Sequence, residues 1–282
     1  MPPPRYPVLD NHFHLDPRGR GAEAVKEFLR AGGTHLTVVH KPYRDLPPGS
    51  LDRTRAAFER TLALARVAAD AGARVQVALA PHPAEFTEMM KAGLGIEEAA
   101  RLYEQGLALA GEHARAGRCV ALGEVGRPHY PVEPAVWARA NALMGIALET
   151  ARDAGVAVIL HTESATPEVF ADLAQRVAAA GLPLGKAVKH YSPPIVGPEN
   201  HGLWPSIIAS GDSSAAAARQ GTRFLLETDY IDEPERPGAV LGPKTVPKRT
   251  HALVAQGLLT EEQAWVVHAE NPARIYGVPY TL

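Results

Sequence analysis

Short β-branched and leucine-rich runs alternate along the chain with longer segments of Ala, Leu, Glu and Arg, the pattern of repeated strand and helix units. Eight strands are predicted: Val8 to His14, Thr34 to His40, Arg74 to Ala80, Val120 to Glu124, Val156 to His161, Lys186 to His190, Ser206 to Ala209 and Arg223 to Asp229. Helical stretches fall between them at Gly21 to Ala31, Leu51 to Ala71, Ile96 to Ala116, Pro134 to Ala154, Pro167 to Ala180 and Ser213 to Gln220. Several run into a glycine, such as Gly32, Gly72, Gly155 and Gly181, the residue that most easily closes a helix in the left-handed conformation. Eight such units in 282 residues predict an α/β fold, a (β/α)8 TIM-type barrel forming one domain over 1–282. The sixth unit departs from the pattern. Its connection, "YSPPIVGPENHGLWP", is rich in Pro and Gly, so a shortened or irregular sixth unit is expected. A long loop, "IDEPERPGAVLGPKTVP", follows the eighth strand, and the helices "KRTHALVAQG" and "EEQAWVVHAENPARIYG" should complete the outer layer.

With 46% apolar but only 6% aromatic residues, the core must be built from Ala, Val, Leu and Ile, which suits helices packed closely on a parallel sheet. Cys119 is the only cysteine, so an intrachain disulfide and a cysteine-based zinc site are both excluded. Any metal must be held by histidines and carboxylates. Lys plus Arg total 29 against 31 for Asp plus Glu, a net charge of −2, which gives a polyanion no broad attraction and leaves nucleic acid only a local basic patch. The start, "MPPPRYPVLD", lacks a signal-peptide pattern, and no apolar run reaches bilayer length. A soluble cytoplasmic protein is expected, with no membrane association and no obligate protein partner.

Six potential metal ligands stand at or near the ends of the strand-like runs: His12, His14, Glu124, His161, His190 and Asp229. Alternate side chains of a strand share a face, so His12 and His14 point together, and Asp10 shares their parity as a supporting partner. The other four can join them only if the strands lie side by side and deliver their C-terminal ends to one rim, as a parallel barrel requires. A lone strand-end histidine is more often a hydrogen-bonded surface residue; here the same register recurs on several strands. Two divalent ions, of Zn, Mn or Mg, could be held by such a set. Glu124 has the chemistry to bridge the two and lower their repulsion, and Asp229 to accept a proton from an attacking water. Glu227, of the same parity as Asp229, is better placed for a buried salt bridge. Candidate substrate contacts near the rim are His82, Arg127, His129 and Glu163, and Lys41 also follows a strand end. The glycines of "PRGRGAE" lack the third glycine of a dinucleotide turn.

Taken in order, "DNHFHLD", "APHP", "ALGEVG", "ILHTES", "VKHYS", "LLETDY" and "ENPARIYG" resemble the TatD-type branch of the amidohydrolase superfamily over nearly the whole chain. The resemblance implies a binuclear centre, with one ion on His12, His14, Glu124 and Asp229 and another on Glu124, His161 and His190. It also implies a water between the ions as nucleophile, and a phosphoesterase or deoxyribonuclease activity on a small molecule or a nucleic-acid end. Two departures bear on the substrate: "GEVGRPHYP" lacks the aspartate that the family nucleases carry after the strand-four glycine, and Glu163 stands where an arginine often follows the strand-five histidine. A carboxylate in place of a phosphate-attracting cation turns attention to an amidohydrolase or lactonase acting on a small carbonyl substrate. A catalytically silent metal-binding barrel is a third reading. It gives no reason for a bridging carboxylate and a proton acceptor to stand together.

Overall fold

The computed structural model describes residues 5–236 and 241–282. Its strands are β1 Leu9–His14, β2 His35–Val39, β3 Arg74–Ala78, β4 Ala121–Gly126, β5 Ala157–His161, β6 Ala187–Ser192, β7 Trp204–Ile208, β8 Leu225–Glu227 and β9 Tyr230–Ile231. All pair in parallel and in chain order, and β9 returns to lie on β1. The fold is a TIM-type barrel. Its eighth strand is divided: β8 pairs with β7 through Ile208 and Glu227, while β9 pairs with β1 through Phe13 and Tyr230. Thr228 and Asp229 make the junction, with Asp229 in the left-handed region at φ 50°. Asp10 holds that junction. Its carboxylate accepts from the Thr228 N–H at 2.9 Å and the Thr228 hydroxyl at 2.6 Å, and burial pushes its pKa up to about 7 in spite of these bonds.

The barrel interior is packed by small and branched side chains, among them Leu9, Val39, Ala78, Ala121, Ile159 and Val188, with Trp204 below the rim. Outside it lie α1 Ala22–Arg30, α2 Leu51–Asp70, α3 Pro83–Lys91, α4 Ile96–Arg115, α5 Pro134–Ala154, α6 Pro167–Ala179, α7 Gly211–Gln220 and α8 Thr245–Ala255. Phe28, Phe58, Phe86, Leu107, Leu148 and Phe170 are buried on the outer side of the sheet. The sixth unit has only a 3-10 turn, Pro198–Asn200, between β6 and β7, as its Pro and Gly content leads one to expect. Helix α3 was not foreseen from the sequence. Pro83 at its first turn and the side chains of His82 and Glu85, which cap it reciprocally, start a helix directly after "APHP". None of the helices among the described residues is long and apolar enough to cross a membrane.

The last predicted helix is corrected in form. Residues 261–277 are α9 Glu261–Trp265, a π-helical turn Val266–Glu270 and α10 Asn271–Tyr276, and Ala269, Ile275 and Tyr276 pack into the barrel interior rather than against its outer layer. Of the long loop predicted after the eighth strand, residues 237–240 lie outside the described residues. His268 in the π-helical turn is fully buried, and its Nδ1 accepts the Leu9 N–H at 3.1 Å. Burial pushes its pKa down to about 3 from an ordinary 6.5. A depressed value means that His268 contributes stability above pH 6.5 and that this contribution is lost as pH falls toward 3. His268→Gln should therefore flatten the acid limb of a plot of urea midpoint against pH. An acid limb as steep as that of the unmutated protein would remove this assignment.

Candidate metal centre

The six predicted ligands converge on one space at the C-terminal ends of the strands. His12 and His14, both buried on β1, bring their Nε2 atoms within 3.1 Å of each other. Glu124 reaches into the middle from β4. One of its oxygens lies 2.5 Å from His161 Nδ1 and 3.2 Å from His190 Nε2; the other lies 3.5 Å from His14 Nε2 and 3.6 Å from His12 Nε2. Asp229 Oδ1 stands 3.4 Å from His14 Nε2, on the far side from His161. Three triads therefore have ligand atoms close enough to share an ion: His12, Glu124 and His190; His12, His14 and Asp229; His82, Glu124 and His161.

Local structure fixes each side chain. Gly126 ends β4 at φ 151°, where a Cβ would lie only 2.0 Å from the His161 carbonyl oxygen, so glycine alone lets β4 close on β5 here. His14 Nδ1 lies 2.9 Å from the Val39 carbonyl oxygen, and His190 Nδ1 lies 2.8 Å from Glu227 Oε1. The Val39 carbonyl can only accept, so His14 carries its proton on Nδ1; an ionised Glu227 asks the same of His190, and both Nε2 lone pairs then face the centre. Glu227 is itself held by the Ser206 hydroxyl and by the Tyr191 N–H at 2.7 Å. Burial raises the Glu227 pKa, while burial and the neighbouring His12 hold His190 well below the ordinary histidine range. Burial opposes the charge of Glu124 as well, yet the imidazoles of His161, His12, His82 and His190 outweigh it and hold its carboxyl well below the usual carboxylate range.

The donor set fits divalent cations. The His190 Nε2 lone pair faces a carboxylate oxygen of Glu124 at 3.2 Å, while His12 and His14 bring their Nε2 atoms to 3.1 Å, a hydrogen bond in which His12 carries the proton. A lone pair set against a carboxylate in a buried pocket is repelled, whereas a cation between them, replacing also the proton between His12 and His14, would convert the same spacing into attraction.

The four candidate substrate residues divide. His82 is at the centre: its Nδ1 accepts the Ala84 N–H at 3.0 Å, so a neutral ring carries its proton on Nε2, which lies 3.6 Å from Glu124. Burial drives the His82 pKa well below the ordinary value and so keeps the ring neutral. His129 is exposed, with Nδ1 2.9 Å from His161 Nε2, and so steadies the His161 ring. Arg127 and Glu163 are not brought to the centre. Arg127 pairs with Glu163 through two nitrogens and with Asp172 at 2.6 Å, and its guanidinium covers Trp137. Lys41 is similarly committed, at 2.8 Å from Asp16 and 2.6 Å from Glu233. Sequence reasoning did not anticipate the orienting role of His129 or the cap formed by His82. The APHP motif carried the second signal, because a polar residue before proline at a helix start is a capping position.

A TIM-type barrel with histidines and carboxylates clustered at its C-terminal rim defines the class of metal-dependent hydrolases. The family model described as "TatD related DNase" matches residues 9–277, and the chain belongs to this family. It is 38% identical over 280 residues to the uncharacterized protein MJ1127 of Methanocaldococcus jannaschii, a match covering 98% of each chain. Among solved structures it is similar to the TatD homologue YjjV of Escherichia coli, with a TM-score of 0.64, 21% identity and coverage of 96% of this chain and 98% of the other. A mutant phosphotriesterase-like lactonase of Deinococcus radiodurans shares the fold at a TM-score of 0.61 and 16% identity, covering 97% of this chain and 96% of the other. Family and fold together support a metal-dependent hydrolase.

Proposed function

We propose that the chain hydrolyses small phosphoesters with two divalent cations and a water nucleophile. The observation that carries this reading is the central position of Glu124, whose two carboxylate oxygens face opposite groups of histidines at 2.5–3.6 Å. His12, His14, Glu124 and Asp229 would hold one cation, and Glu124, His161 and His190 the other. Zinc, manganese or magnesium held there would supply Lewis acidity toward the scissile group and make a water acidic enough to ionise near neutral pH. Asp229, partly open to the mouth, accepts the proton of the attacking water. His82 offers its Nε2–H to an oxygen of the substrate, and the cap on its Nδ1 keeps that proton in place. Glu227 holds the His190 ring so that its lone pair stays on the centre. Membership of the TatD-related DNase family supports phosphoester chemistry.

A second reading, a lactone or cyclic amide as substrate, is favoured by one observation. Arg127 and Lys41, the cations that follow strand ends, are both neutralised by carboxylates and are not free to meet a phosphate. Parallel assays on nitrophenyl phosphates, oligonucleotide ends and lactones, each with Mn, Zn or Mg supplied, test the choice. Turnover of a phosphate ester that disappears with chelator is the expected result. Turnover confined to lactones would put the carbonyl reading in its place.

A further inference from the structure

Tyr191 follows the ligand candidate His190 at the end of β6 and is the only exposed residue among the Phe, Trp and Tyr side chains of the described residues, at 52%. An aromatic ring left in water beside a cluster of polar groups offers a flat apolar face to a planar partner. Its backbone is also unusual. Tyr191 has φ 50°, in the left-handed region that bulky residues enter only at a cost, so the surrounding structure must hold it there. Glu227 does so: the same carboxylate oxygen receives the Tyr191 N–H at 2.7 Å and faces His190 Nδ1 at 2.8 Å. The group that aims His190 into the pocket thereby turns the next side chain out beside it.

Ring contacts link Tyr191 to the buried centre, where His190 lies between His12 at 4.0 Å and His161. Tyr191 stands edge-on to His190 with centroids 5.8 Å apart; His190 and His161 stack at 5.4 Å; His161 meets the exposed His129 at 4.9 Å. Of these four rings on the β4–β6 side only Tyr191 and His129 are exposed, so Tyr191 is the ring that a substrate can meet face-on beside His190. No basic group breaks the row, because Arg127 is paired with Glu163 and Lys189 is buried with its amine donating to the His190 carbonyl at 2.5 Å. We propose that Tyr191 is a specificity-determining residue that stacks on a planar aryl group attached to the scissile centre of the substrate. The inference rests on the hydrolase reading for where the reacting group lies, and it names the substrate class as aryl esters.

Calorimetric titration of the manganese-loaded protein with phenylphosphonate and with methylphosphonate tests it. The unmutated protein should prefer the phenyl compound by about 3- to 10-fold, in keeping with a single aromatic contact. Tyr191→Gly should lose that preference, and Tyr191→Phe should keep it. Glycine suits φ 50°, so Tyr191→Gly relieves backbone strain and its loss of preference cannot be ascribed to misfolding. Equal binding of the two phosphonates, no binding of either, or a preference that survives in Tyr191→Gly would each overturn the proposal. Turnover is scored separately. A phenyl preference without hydrolysis of any ester would remove the hydrolase reading and leave the stacking surface, whereas hydrolysis without a phenyl preference would remove the stacking surface alone.

Discussion

Asp229→Asn should lower kcat by about 10²- to 10⁴-fold, the range expected when a positioned proton acceptor is lost. The amide keeps an oxygen for a cation and nearly the same shape, but it cannot take a proton from water at neutral pH. Asparagine is also one of the few residues that tolerates the left-handed conformation found at this position, so the junction between β8 and β9 should fold as before. KM and thermal stability should move little. A loss smaller than tenfold, with metal content unchanged, would show that the proton goes elsewhere.

Chelation should lower the melting temperature by about 10 °C. An ion present at a thousandfold excess over its Kd stabilises the folded state by about 4 kcal/mol, and each kcal/mol corresponds to roughly 2–4 °C in a protein of this size. The physical source is the unbridged ligand set: without a cation, the Glu124 carboxylate faces the His190 Nε2 lone pair at 3.2 Å and the His12 and His14 rings are crowded beside it in a buried space. Restoring Mn or Zn should restore both the melting temperature and turnover. The double variant His12→Ala with His14→Ala should have lost the response, because it lacks two of the four ligands of one ion. If the double variant retains activity and the chelator shift, the metal assignment fails.

Much of this arrangement is legible in the residues because both of its periods are simple. Parallel strands carry period-two alternation, so the shared parity of His12 and His14 puts that pair on one face before any coordinates are known. The end of each run then marks the rim, and the order of the strands follows the order of the chain. What could not be read lies in the side-chain partnerships. Parity puts Asp10 on the face of His12 and His14, but the register of β1 shifts between Asp10 and Phe13, so Asp10 pairs with the outward-packing Leu36 and its carboxylate reaches across the seam to Thr228. Arg127 looks available in "GEVGRPHYP", but a guanidinium is spent wherever two carboxylates approach it, and Asp172 is 45 residues away in the sequence. The role of His129 is likewise tertiary, since nothing local indicates that it will meet His161. Helix α3 escaped notice for a different reason: nine residues with two methionines and no strong apolar face give little periodic signal, and only the cap identifies them.

The divided eighth strand ties topology to chemistry. Half of it belongs to one neighbour and half to the other, and Asp229 occupies the point where allegiance changes. The ring of strands is sealed by the same two residues that present the proton acceptor. A barrel left ajar at this seam would displace Asp229 from His12 and His14, so closure of the architecture and assembly of the ligand cluster depend on one another.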